Sequence, residues 1–285
     1  MVGLISRCAD KTVKIAVTLS GQWRFSRGAV KSLEDYIIKP LQRHHEVRVF
    51  IHAWAMGVPA EEELAFMRER LPVHCMQLNY PATNYSSPFE ASRHPHGERY
   101  RSQFESLYRV FQLVASSEFE PDCILRTRMD LVYLSELAMP DRTKERTVYV
   151  PPVEGHMEEP FGPTVVNDQV ALGDRAVMSI YMQLAKRVTQ SDIGESGTSR
   201  NGDLGASNLK SIEGILCDYL KAQRIKVRRL NLFYTIERMG TSHRKIFCAA
   251  LPMFVYGPMP NRLSPWLVVK AFAILKRLAP QWYQG

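Results

Sequence analysis

Long uninterrupted hydrophobic runs are lacking: the C-terminal Pro265-Trp-Leu-Val-Val-Lys-Ala-Phe-Ala-Ile-Leu-Lys-Arg-Leu278 is apolar and aromatic-edged, but too short and too interrupted by lysine and arginine to span a bilayer. Cysteine is scarce as well. Cys8, Cys75, Cys123, Cys217 and Cys248 are odd in number and far apart, with no CxxC pair and no Cys/His spacing suited to zinc, so reduced thiols are expected. The first twelve residues carry Arg7, Asp10 and Lys11 and lack the apolar core of a secretory signal. A cytoplasmic location follows as the expectation, with the Asn84-Tyr-Ser86 sequon accidental. Also missing are GxxxxGK[ST], a GxGxxG after the first strand, HExxH and GxSxG, which argues against P-loop, dinucleotide, zinc-protease and serine-hydrolase chemistry. Gly202-Asp-Leu-Gly205 has no strand before it and carries no weight.

What is present is an enzyme-sized globule. Across 285 residues, 45% are hydrophobic and 23% charged, enough to bury a substantial core. Lysine and arginine outnumber aspartate and glutamate by 37 to 29, a formal charge of +8, which points to an anionic partner. The positive charge is spread without a dense basic tract, so nucleic acid is not the expected partner.

Apolar periodicity alternates between strand and helix almost throughout. Residues 14–19 read as a buried strand, 28–38 as a helix, 47–52 as a strand, and 60–71 as a helix opened by Glu61, Glu62 and Glu63. A strand at 74–78, a polar loop at 79–98, a helix at 100–116 and a strand at 123–127 follow. Beyond them come a strand at 147–150, helices at 174–184 and 209–220, and a strand at 225–230. Such alternation predicts an α/β fold with a mainly parallel sheet and helices on both faces, and places ligands beyond the carboxyl ends of the strands. The Ser- and Gly-rich stretch 189–207 reads either as an active-site lid or as a disordered insertion.

Three segments carry candidate chemistry. Ser20-Gly-Gln-Trp-Arg-Phe-Ser-Arg27 follows the first strand. There Gly21 lets backbone approach a ligand, while Arg24 and Arg27 offer phosphate-matching donors beside Ser20 and Gln22; solvated arginines on an ordinary loop are the plain alternative. In Arg126-Thr-Arg-Met-Asp130 the spacing in an extended chain puts Arg126, Arg128 and Asp130 on one face. An acid in that setting binds a divalent cation or a ribose, and the arginines offset phosphate charge; a salt-bridged strand end is the competing account. In Asn167-Asp-Gln-Val-Ala-Leu-Gly-Asp174, Asp168 can accept a proton from an incoming hydroxyl or serve a turn, and Asp174 caps the next helix. Glu213, on a helix after the Ser/Gly-rich stretch, either faces the cleft or is solvated. The histidines, His44-His45 and His94-Pro-His96 among them, read as surface residues.

In their order these three motifs resemble the GT-A-like glycosyltransferases of microbial surface-polysaccharide and large-virus glycan synthesis, over roughly residues 14 to 235. The resemblance implies a Rossmann-like nucleotide-sugar domain, here residues 1–263, and the apolar, basic composition of 264–285 reads by itself as an amphipathic helix. That helix either packs on the core or lies on a membrane surface near a lipid-linked acceptor. The resemblance also implies that Gly21, Gln22 and Arg24 flank the nucleotide, that Asp130 matches the acid of the metal-binding motif for manganese or magnesium, and that Asp168 faces the glycan or lipid-linked acceptor. Arg128 stands where that motif has its first acid, which leaves metal dependence open because Arg126 and Arg128 can themselves stabilise a departing diphosphate. A catalytically silent scaffold of the same fold is the rival reading.

Overall fold

In the computed structural model, residues 12–80, 97–140, 145–151, 166–184, 212–232 and 234–236 are described. The C-terminal segment 264–285, the stretch 189–207 and most of the loop at 79–98 lie outside them. Among the described residues no helix is long and apolar enough to cross a membrane, and Cys75, Cys123 and Cys217 are free thiols.

The fold is α/β, with a mostly parallel but mixed sheet. Its strands are β1 (Lys14–Gln22), β2 (Glu46–Trp54), β3 (Val73–Asn79), β4 (Cys123–Thr127), β6 (Thr147–Val150), β7 (Ala171–Asp174) and β8 (Lys226–Arg229), in the order β3-β2-β1-β4-β7-β6-β8. The pairings among β3, β2, β1 and β4 are parallel, as is β6 with β8, whereas β7 runs antiparallel to both β4 and β6. Two three-residue strands, β5 (Leu131–Tyr133) and β9 (Tyr234–Ile236), form a small antiparallel ribbon beside it.

Alternation along the central strands divides the core in two, since successive side chains point to opposite faces. On one face Ala16, Phe50 and Ile124 pack against α4 (Gly97–Ala115), α5 (Arg175–Met182) and α6 (Ile212–Ala222) through Phe104, Leu107, Met178 and Leu216. On the other, Val17, Val49 and Leu125 meet α1 (Arg27–Leu33) and α3 (Glu61–Arg70) through Val30, Leu33 and Met67. Buried on both sides, the strands are continuously apolar, which is why they read clearly from sequence.

The helix expected over 28–38 is longer and less regular. After α1 the chain passes through a π-helical turn, Glu34–Ile38, into the short α2 (Lys39–Gln42). Pro40 explains part of this: it has no N–H to give the carbonyl four residues back. That carbonyl, on Tyr36, accepts from Leu137 N at 2.9 Å instead. Ser32 Oγ likewise accepts from Tyr133 N at 3.0 Å. These two bonds fasten the segment that follows the Arg128–Asp130 turn onto α1 and the π-helical turn.

Candidate functional site

After β1 the chain proceeds to β2 and β3 on one side, whereas β4 lies on the other. Between β1 and β4 the winding direction reverses, and in open α/β sheets the crevice beyond the carboxyl ends of the strands at such a reversal is the place where ligands bind. The two arginine-bearing motifs of the sequence are the loops that flank it.

Those loops meet. Asp130 is buried, and its carboxylate accepts from Arg24 Nη1 at 2.9 Å, Arg128 Nε at 2.8 Å and Arg128 Nη2 at 2.7 Å. The second Nη of Arg24 donates to Gln22 Oε1 at 2.7 Å, which holds the guanidinium plane. Burial pushes the Asp130 carboxyl up, but the two guanidiniums outweigh it and the group lies below the usual carboxylate range. Burial likewise works against the charge of Arg128, and Asp130 reverses that, leaving the guanidinium more firmly protonated. Beside the cluster is a narrow, mainly apolar recess with room for about one water molecule, whose lining includes Arg24, Arg128, Phe25, Met67, Met129 and Leu131.

The opening of the β1 loop is fixed from below. Gly21 takes φ +131°, a conformation open to glycine, and space around its Cα is free. Its N–H donates to Ser106 Oγ on α4 at 2.8 Å. Ser106 Oγ in turn donates its one hydrogen to the His52 carbonyl at 3.0 Å, so the 2.8 Å contact with His52 Nδ1 is a bond donated by Nδ1–H. His52 Nε2 is then a bare lone pair, fully buried, with no hydrogen-bond partner among the described residues. Burial, helped by the charge of Arg109, brings the His52 pKa down to about 4. The histidines were expected at the surface, and His52 is in the core.

Asp168 reaches the crevice because β7 is antiparallel. The segment 166–170 enters β7 at the end where β4 finishes, with Ala171 opposite Arg126. Asn167 shapes that entry: its Oδ1 accepts from Gln169 N and Val170 N, and its Nδ2 donates to Tyr234 Oη at 2.7 Å. Asp168 Oδ2 accepts from Gln103 Nε2 of α4, and the charge of Asp168 helps hold the Arg128 proton. Asp174 caps α5 through Val177 N at 2.7 Å, as expected.

The expected residues thus divide. Gly21, Gln22, Arg24, Arg128 and Asp130 are contiguous, and Asp168 is coupled to them through Arg128. The extended geometry expected to align Arg126 with Arg128 and Asp130 stops at Thr127, where β4 ends and the chain turns, although Arg126 still acts on Tyr133 together with Asp130 and on Tyr181 and Tyr234 together with Asp168. Arg126 is 1% exposed on the α4 side, and its Nε and Nη1 have no hydrogen-bond partner among the described residues. Ser20 is buried with its hydroxyl in the same condition. Arg27 turns away, lying over the Phe66 ring at 4.9 Å and 3.8 Å from Glu62 on α3. Glu213 is tied to the site through backbone, its carbonyl accepting from Val166 N at 3.2 Å. His52, Ser106, Gln103, Asn167 and Tyr234 complete the site without having been singled out. Of these, His52 carried a signal, a histidine with apolar residues on both sides in a largely apolar strand.

A divalent cation wants several free oxygen ligands. Both oxygens of Asp130 are taken by guanidinium donors, and among the described residues no group of three His, Cys, Asp or Glu side chains stands close enough to hold an ion. The described residues around Asp130 do not make up a manganese or magnesium site. No protein-family model matches this chain, and no curated protein matches it.

Proposed function

We propose that this chain is a GT-A-like glycosyltransferase that moves a sugar from a nucleotide-sugar donor to a hydroxyl of a glycan or lipid-linked acceptor, as in surface-polysaccharide synthesis. The observation that carries the reading is the convergence of the β1 loop and the β4 turn on one crevice at the reversal of the sheet, joined by the 2.9 Å Arg24–Asp130 ion pair. The antiparallel β7 adds to it by bringing a second carboxylate, Asp168, to the same edge.

In this reading the diphosphate lies against Arg24 and Arg128, with the Gly21 backbone close by. The bond from the anomeric carbon to the diphosphate oxygen breaks, and a bond to the acceptor oxygen forms. Arg24 and Arg128 stabilise the charge left on the diphosphate, and Arg126 adds a fixed positive charge behind the strand. The acceptor hydroxyl gives its proton to Asp168, which exchanges its bond from Gln103 for the incoming hydroxyl. Located cytoplasmically, the enzyme meets soluble nucleotide-sugars directly.

The test is a thermal-shift screen of nucleoside diphosphates followed by assay of donor hydrolysis or transfer. At least one nucleotide is expected to raise the melting temperature, and Asp168→Asn to abolish turnover while leaving that shift intact. A shift without turnover in the unaltered protein supports a silent scaffold of the same fold. The absence of any shift rejects the nucleotide-sugar reading.

A further inference from the structure

The position of Asp130 relative to its two arginines bears on how an anion enters the crevice. Three N–H donors, Arg24 Nη1, Arg128 Nε and Arg128 Nη2, converge on the two oxygens of one carboxylate. The same donor fork matches the oxygens of a phosphate, which carries more charge than a carboxylate. The cluster keeps one net positive charge and still attracts anions.

Exposure indicates which partner an incoming ligand meets. The side chains of Arg24 and Arg128 are 35% and 19% exposed, whereas that of Asp130 is 4% exposed. The guanidiniums therefore form the open side of the cluster and the carboxylate its inner side. A cation approaching Asp130 has to pass two positive charges, whereas an anion reaches both guanidiniums first. Gln22 Oε1 keeps Arg24 oriented as its bond to Asp130 loosens.

Resting on the donor-site reading above, we propose that Asp130 is a built-in counter-ion, a positioning residue that holds Arg24 and Arg128 until a nucleoside diphosphate replaces it on both guanidiniums without a divalent metal. Asp130 and the diphosphate compete for the same donors. Removing the negative charge at Asp130 should therefore strengthen diphosphate binding, the opposite of what a metal ligand would do.

The experiment is calorimetric titration of the full chain with inorganic pyrophosphate and with a panel of nucleoside diphosphates, in EDTA and in manganese. The unaltered protein should bind pyrophosphate and at least one nucleotide in EDTA, with affinities that manganese changes by less than about twofold. Asp130→Asn should bind them about tenfold tighter, the size of one relieved close charge competition. Arg24→Gln, at a partly exposed position that leaves Arg128 on Asp130, should bind about tenfold more weakly and serves if the Asp130 variant does not fold. Equal affinity of Arg24→Gln and the unaltered protein overturns the proposal. So does nucleotide binding that requires manganese and disappears in Asp130→Asn, an outcome that leaves the glycosyltransferase reading standing. Failure of every nucleoside diphosphate to bind in either medium removes that reading and the counter-ion proposal with it.

Discussion

His52, which is linked to the β1 loop through Ser106, makes the stability of the fold depend on pH in a calculable way. In the folded chain its pKa is about 4, against an ordinary histidine value of 6.5, because the imidazole is buried and lies under the charge of Arg109. A depressed histidine pKa means that the unfolded chain binds the proton more readily, so stability rises with pH across the interval between the two values. Above pH 6.5 both states are neutral and nothing is lost. At pH 4.5 the unfolded state is protonated and the folded state mostly is not, which costs about 2–3 kcal/mol relative to pH 7. His52→Asn keeps a donor toward Ser106 Oγ but cannot titrate. Urea unfolding followed by tryptophan fluorescence at pH 7 and pH 4.5 should show that this variant, though weakened at both pH values by the lost ring, loses about 2–3 kcal/mol less on acidification than the unaltered protein. The other histidines and the carboxylates are common to both proteins and cancel in the comparison. Parallel losses in the two proteins would refute the reasoning, because they would mean that buried Nε2 can take up a proton without penalty.

Two further outcomes concern the backbone and the buried charge. Gly21→Ala meets no atom where its Cβ would stand, so its cost is conformational, about 1–3 kcal/mol for an L residue held at φ +131°; chemical denaturation should show that loss, and no change would mean that the loop can relax. Arg126→Met should leave the melting temperature unchanged or raise it, since a guanidinium with two unpartnered nitrogens stabilises little, yet lower transfer at least tenfold; a marked fall in melting temperature would show that Arg126 is structural.

The elements that read clearly from sequence are those whose burial is uniform. The strand at 14–19 and the strand at 47–52 are sandwiched between helices, and their nearly continuous apolar runs record it. The cap at Asp174 was equally local. The direction of β7 was not, because a short apolar run has the same period whether it lies parallel or antiparallel to its neighbour, and Val170-Ala-Leu-Gly-Asp174 passes for the approach to α5. The three residues of β5 and of β9 are too few to show any period. Arg126, Arg128 and Asp130 were placed on one face by assuming extended chain through Asp130, and the turn after Thr127 breaks that count. The Gly21–Ser106–His52 chain joins residues 85 and 54 positions apart, so spacing along the sequence could not disclose it.

That chain and the arginine pair act on the same few residues from opposite sides. Ser106 fixes the Gly21 N–H from the α4 face, while Asp130 fixes Arg24 three residues later from the β4 side. Between them Trp23 is anchored twice, its N–H donating to the Trp54 carbonyl at 2.8 Å and its indole Nε1–H to Glu63 Oε2 at 3.0 Å. A loop held at three successive points loses little entropy when a ligand arrives, so binding energy is available for orienting it. The Arg24 guanidinium is the part left to move, with one Nη on Gln22 and the other on an acid that can be replaced. On the proposed reading the backbone is therefore set for the ligand in advance, and the response to an anion is confined to side chains whose charges are already in place.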